Sequence, residues 1–260
     1  METPDNQPLR GLRLLVADDN SVNRKLLAAL AANLGAHCDT VTDGAAAVSR
    51  ATAEPYDCVI LDLHMPEVDG YAAARAIRRL DGAPPLIAFT ASRDLATCDA
   101  VLAAGFVGML NKPLSASRLS DAVSEAISGP GTSGISSDTP DLDDTCRYNL
   151  PAALDTAGGK RALAAELFAM LRDDLRTKRR ELDDPALEAD QLVALVHKIH
   201  GAASHCRADR LRDMAARLET LLRREPSRGQ QAEALLAQLV AEIDALLAMP
   251  DPFANERIQS

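Results

Sequence analysis

Tryptophan is absent from these 260 residues, and aromatic side chains amount to 3%. Hydrophobic residues reach 47%, so ordinary cores can form, but Ala and Leu must fill them, which favours helices. No run of about 18 apolar residues occurs, so no membrane insertion is expected. The start, METPDNQPLRG, lacks an apolar centre and does not read as a signal peptide. Cysteines are few and scattered: Cys38, Cys58, Cys98, Cys146 and Cys206 form neither a CxxC nor a metal-ligand spacing. They read as reduced thiols of a cytoplasmic protein. A basic segment is missing too. Acidic residues outnumber basic ones 16 to 11 over residues 1–128, 4 to 0 over 129–146 and 18 to 17 over 147–260, for a net charge of −10. Nucleic acid is therefore not expected as a direct partner.

What is present divides into two domains, as the length suggests. Residues 1–128 hold five short apolar runs, Leu12–Ala17, His37–Val41, Cys58–Leu61, Leu86–Thr90 and Phe106–Leu110. Ala-rich helical patterns near 21–34, 44–53, 67–80, 93–104 and 115–128 separate them. This alternation implies a parallel sheet with helices on both faces, an α/β fold. Residues 129–146 are Gly, Pro, Ser and Asp without periodicity, and read as a flexible acidic linker. Residues 147–260 carry helical patterns near 150–157, 160–182, 188–206, 209–224 and 230–247, broken by DDPALEAD and REPSRG. They read as an antiparallel all-α bundle.

In an open parallel sheet, ligands bind beyond the carboxyl ends of the strands. The first strand runs into VADDN, with Asp18 and Asp19. The third, in VILDLHMPEVDG, ends on Asp62; the fourth ends FTAS, with Thr90; the fifth is followed by NKPL, with Lys112. Any one of these can merely cap a helix or solvate a turn. All five at the correct strand ends point to one pocket. Two carboxylates about 4 Å apart repel by roughly 4 kcal/mol at an effective dielectric near 20, so a cation must offset them. Hard oxygen donors suit Mg²⁺, Lys112 suits a phosphate oxygen, and Asp62 can act as a nucleophile toward phosphorus.

Those four stretches, in that order and spacing, resemble the response-regulator receiver family. The resemblance implies a flavodoxin-like fold with strand order 2-1-3-4-5 and Asp62 as the phosphorylated residue. It implies that Asp19, Asp62 and the His64 carbonyl ligate Mg²⁺, with Asp18 acting through water. Lys112 would pair with the phosphoryl group, Thr90 would supply the hydroxyl that moves toward it, and the Lys112–Pro113 bond would be cis. Met109 stands where the family carries a Tyr or Phe switch.

The second stretch of interest is HKIHGAASHCRADRL, from His197 to Leu211. At about 100° per residue, Leu192, Leu195, Val196, Ile199, Ala203 and Cys206 form one stripe. His197 lies about 140° from Leu192, so it should face solvent, with Gly201 beside it leaving access. A neutral imidazole there is a nucleophile. His197 and His200 could also be half of a metal site, but no carboxylate or cysteine reads as placed to complete it. The stretch is similar to the histidine phosphotransfer (HPt) motif, and ALDTAGGKRALAAELFAMLRDDL fits the preceding helix of that bundle. The resemblance implies a four-helix bundle with His197 as phosphoryl carrier and His200, Gly201 and Arg207 around it. His200 replaces the family's usual Lys, and Arg207 stands near a turn that often holds Gly.

Together these imply a two-component phosphorelay protein. A histidine kinase would be the donor to Asp62, and a separate response regulator the acceptor from His197. The order of domains resembles the C-terminal part of BarA/GacS-type hybrid kinases. Neither a glycine-rich nucleotide-binding segment nor a dimerising His helix is visible, so ATP is not an expected substrate. Two alternatives remain: a non-catalytic docking module, and a hydrolase of the haloacid dehalogenase type. The latter needs an acid two residues after its nucleophile, where this chain has His64.

Overall fold

The computed structural model describes residues 7–90, 100–128, 147–184, 186–224 and 229–254. They fall into two compact units, one within 1–138 and one within 139–260. The proposed linker 129–146, most of the helix expected at 93–104, the interruptions at residues 185 and 225–228, and Cys98 and Cys146 lie outside the described residues.

In the first unit, β1 (Arg13–Ala17), β2 (His37–Val41), β3 (Cys58–Asp62), β4 (Leu86–Thr90) and β5 (Gly108–Asn111) form one parallel sheet. Its order is β2-β1-β3-β4-β5. Every residue of β3 (CVILD) and β4 (LIAFT) is buried, as central strands covered on both faces require. The edge strand β2 (HCDTV) has no fully buried residue, which lets it carry His37 and Asp39. The helices are α1 (Ser21–Asn33), α2 (Gly44–Ala53), α3 (Gly70–Ile77) and α4 (Ala116–Ser128); residues 100–103 are helical as well. Asn20, Asp43 and Asp69 cap the first three, accepting hydrogen bonds from Val22 and Asn23, Ala46 and Ala72 backbone N–H groups respectively. Each cap satisfies donors that the helix start leaves unpaired, and so pins a strand-to-helix loop. Small side chains such as Ala73 and Ala74 of α3 pack with Leu61, Ala88 and Phe106 in one cluster.

Two elements depart from expectation. The helix expected from 67 starts at Gly70, because Glu67 holds a φ of 63° and Asp69 is the cap. The last strand starts at Gly108 rather than Phe106. Phe106 instead joins the helix-side core, edge-to-face with Tyr71 at 6.5 Å between ring centroids.

The second unit holds α5 (Leu150–Thr156), α6 (Arg161–Leu182), α7 (Ala189–His205), α8 (Asp209–Arg224) and α9 (Gln230–Ala248). The four long helices contact in a closed ring, α6 to α7 to α8 to α9 and back to α6, which makes a four-helix bundle. Leu167, Phe168, Leu171, Leu192, Val196, Ile199, Leu211, Leu218, Leu239 and Ile243 fill it. Tyr148 and Phe168 pack with tilted rings, 4.5 Å between centroids, and dock the start of this unit. Among the described residues no helix is long and apolar enough to cross a membrane.

Candidate functional site

Backbone register builds the first site. The pairs Ala17↔Leu61, Asp62↔Phe89 and Thr90↔Asn111 carry Asp18, Asp62, Thr90 and Lys112 to the carboxyl edge of the sheet. Asp18 is 0% exposed. Its carboxylate accepts from Asn20 N at 2.8 Å and from Asn23 Nδ2 at 2.8 and 3.0 Å. Lys112 Nζ donates to Asp62 Oδ2 at 2.7 Å and to Asp18 Oδ2 at 3.2 Å, and lies 4.6 Å from the centroid of Phe89. The Lys112–Pro113 bond is cis, and Lys112 N donates to Thr90 O at 2.9 Å. Thr90 is buried at the end of β4. The His64 N–H donates to Asp62 Oδ1 at 3.2 Å. Burial, above all, pushes the Asp18 carboxyl up to about 7, against the pull of Lys112, with Asp62 adding to the rise. Burial would lower Lys112, but Asp18 and Asp62 outweigh it and hold the ammonium above its usual range. Oxygens of Asp18, Asp19 and Asp62 lie within 4.8 Å of one another.

Gly70 explains the glycine of VILDLHMPEVDG. Its N–H donates to Leu63 O at 3.1 Å, and a Cβ there would lie 2.2 Å from the Asp62 carbonyl oxygen. The loop after β3 folds so tightly over Asp62 that no side chain fits.

The second site spans α7 and α8. His197 Nδ1 lies 2.9 Å from Glu219 Oε1, and His200 Nδ1 lies 3.1 Å from Glu219 Oε2. Arg223 donates to Oε1 through Nη2 at 2.8 Å and Nε at 3.1 Å. Burial would raise the Glu219 carboxyl; the hydrogen bonds of His197 and His200 outweigh it and hold that group well below the usual carboxylate range. An ionised carboxylate can only accept, so both Nδ1 atoms carry the proton. In each neutral ring the lone pair is then on Nε2.

The family profile of the response regulator receiver domain matches residues 14–124, and that of the Hpt domain matches residues 162–249. The chain is a receiver domain followed by an Hpt domain. It is similar to the sensor histidine kinase GacS of Pseudomonas protegens, 33% identical over 232 residues that cover 85% of this chain and 25% of that protein. It is also similar to the signal transduction histidine-protein kinase BarA of Escherichia coli K12, 30% identical over 244 residues, 90% of this chain and 26% of that one. The chain thus spans about a quarter of the length of these relatives. Among solved structures, the receiver domain of the sensor histidine kinase PA1611 from Pseudomonas aeruginosa PAO1 is 32% identical. It covers 46% of this chain and 99% of its own at a TM-score of 0.44, and its structure holds a magnesium ion in the active-site cleft.

The Hpt site corrects three expectations. A carboxylate does complete the histidine pair: Glu219, which the sequence reading missed. Its signal was available, since Leu211, Ala215, Leu218 and Leu222 form the buried stripe of α8 and Glu219 falls one turn after Ala215. A charge on an apolar face asks for a partner. His197 keeps 13% of its side chain exposed rather than standing in solvent, and its ring pairs with Glu219 on α8. Gly201 is buried, as is every residue from 201 to 206, so amphipathicity stops before the end of α7. Arg207 has a φ of 58° and pairs with Asp209, Nε to Oδ1 at 3.5 Å; its charge serves the turn. In the receiver, Met109 packs against the core cluster that holds Phe106.

Proposed function

We propose that this chain relays a phosphoryl group from a histidine kinase, through Asp62 and His197, to a separate response regulator. Asp62 Oδ attacks the phosphorus of the donor phosphohistidine; the P–N bond breaks and an acyl phosphate forms. The Nε2 lone pair of His197 then attacks that phosphorus, the P–O bond to Asp62 breaks, and the carboxylate is regenerated. The last transfer repeats the first on the acceptor's aspartate. Catalysis is positioning and charge neutralisation. The observation that carries this reading is the pair of prepared groups: Asp62 held on Lys112 at 2.7 Å and His197 held on Glu219 at 2.9 Å.

The receiver's donor set fits Mg²⁺. Three hard carboxylates cluster there, the donor type that Mg²⁺ takes. Asp19 and Asp62, with the His64 carbonyl, would hold the ion and Asp18 would support it. When bound, the ion supplies charge for the phosphoryl oxygens. Lys112 pairs with one such oxygen, and Thr90 donates its hydroxyl to another. Glu219 is the positioning residue of the Hpt site, fixing the tautomer that puts the lone pair on Nε2. We take residues 1–128 as the receiver, 129–146 as a linker and 147–260 as the Hpt domain, in a cytoplasmic protein; Cys38, Cys58 and Cys206 are free thiols.

A phosphorylated kinase core with labelled phosphate tests the order. Wild type should label on both residues, Asp62→Asn on neither, and His197→Gln on Asp62 alone. Label on His197 in Asp62→Asn would overturn the order. Acetyl phosphate with Mg²⁺ that leaves no adduct on Asp62 would favour a docking module instead.

A further inference from the structure

We infer that His197, His200 and Glu219 form a Zn²⁺ site, and that an ion there disables His197 as a phosphoryl acceptor. The two histidines sit at i and i+3 on α7, with the glutamate across from them on α8. Their donor atoms lie within 4.8 Å of one another, and the two Nδ1–carboxylate separations are 2.9 and 3.1 Å. A tetrahedral zinc centre with bonds of about 2.0–2.1 Å has ligand–ligand edges of about 3.3 Å. Each histidine–carboxylate separation therefore needs to open by only a few tenths of an ångström. Two imidazoles and a carboxylate make the donor set of open zinc sites, in which water takes the fourth position. Imidazole selects against Mg²⁺, which requires oxygen, so the receiver's carboxylates and this cluster sort the two ions. Arg223, whose Nη2 lies 2.8 Å from Glu219 Oε1, opposes a cation there. Its side chain is 46% exposed, so it can withdraw into water.

The consequence follows from the tautomer. In the hydrogen-bonded state the ring proton of His197 is on Nδ1 and the lone pair on Nε2. Zinc on Nδ1 requires that proton to move to Nε2, with none released by the neutral ring. The atom that attacks phosphorus then has no lone pair to offer. Zinc binding stands on this cluster alone; its effect on transfer rests on the relay reading.

The full-length protein, titrated with Zn²⁺ in excess Mg²⁺, tests both parts. Imidazole ¹H–¹⁵N correlation spectra should show Nδ1 of His197 and His200 shifting together within one equivalent. His200→Gln and Glu219→Gln should each weaken zinc binding by at least about tenfold, and Arg223→Gln should tighten it. Label reaching His197 should fall at least about tenfold with zinc and return with a zinc-selective chelator, while Asp62 labelling persists. Unshifted ring nitrogens in wild type would overturn the site, whatever the variants do. Shifted nitrogens with undiminished label on His197 would overturn the switch. No label on His197 before zinc is added would instead count against the relay.

Discussion

Between α7 and α8 the chain reverses through Arg207, whose φ of 58° is left-handed. A non-glycine residue there costs roughly 1–2 kcal/mol. Two contacts offset it: the Arg207 carbonyl accepts from Asn149 N at 2.9 Å, and the side chain, 5% exposed as a residue, pairs with Asp209. Arg207→Gly removes both the strain and the pair, so urea unfolding should find stability within about 1 kcal/mol of wild type. Arg207→Val loses the pair and keeps the strain in a β-branched residue, and should lose about 2 kcal/mol or more. A second residue-scale effect concerns Glu219. Glu219→Gln replaces one of the two accepting oxygens with an N–H₂ donor that faces an imidazole N–H, so arrival of label at His197 should slow by roughly tenfold, with Asp62 labelling unchanged in a donor time course. The contrast between these residues shows what a sequence makes visible. Asp18, Asp19, Asp62 and Lys112 are charges at the ends of apolar strands, and their register brings them together. Glu219 works only through a neighbouring helix, so its partners cannot be read before the bundle's pairing is known.

At the scale of elements, the turn from β3 into α3 sets the position of Asp62. A methyl group at Gly70 would lie 2.2 Å from the Asp62 carbonyl oxygen, far inside contact distance, and that atom is backbone. Gly70→Ala must therefore displace Asp62 or the helix start. It should cost about 1–3 kcal/mol, as overpacking does, and weaken Mg²⁺ binding as measured by calorimetry. Gly82 provides the comparison: its φ is 69°, yet nothing lies within 4 Å of a Cβ there. Gly82→Ala should cost roughly 1 kcal/mol and leave Mg²⁺ affinity alone. The central strands were legible because residues buried on both faces are apolar almost without interruption; β4 begins and ends where the pattern places it. The helices from α5 to α9 likewise follow the 3.6-residue period to within a residue at each end. The α3 start was not legible from hydrophobic pattern, because the apolar side chains extend back to Val68 while the positive φ of Glu67 and the Asp69 cap are local backbone choices that hydrophobicity does not encode.

At the scale of the whole molecule, each prepared group has partners within its own unit. Asp62 takes its partners from Asp18, His64 and Lys112, all before residue 128. His197 takes its partner from Glu219, itself held by Arg223, both after residue 147. Two chains, each lacking one group, should therefore complement one another in solution. His197→Gln retains the receiver site and, charged with labelled acetyl phosphate and Mg²⁺, should hold label on Asp62. Asp62→Asn retains the Hpt site and should take up no label from that reagent. Mixing the two after removal of free acetyl phosphate should move label onto His197 of the second chain, at a rate that rises with its concentration. The phosphoramidate on His197 resists alkali and the acyl phosphate on Asp62 does not, so alkaline treatment before electrophoresis separates the two. Glu219→Gln built into the acceptor chain should slow the exchange by roughly tenfold, since it alters the nucleophile without touching the donor. Failure of label to cross at any concentration, with both variants folded by circular dichroism, would mean that a site depends on groups its own unit does not contain.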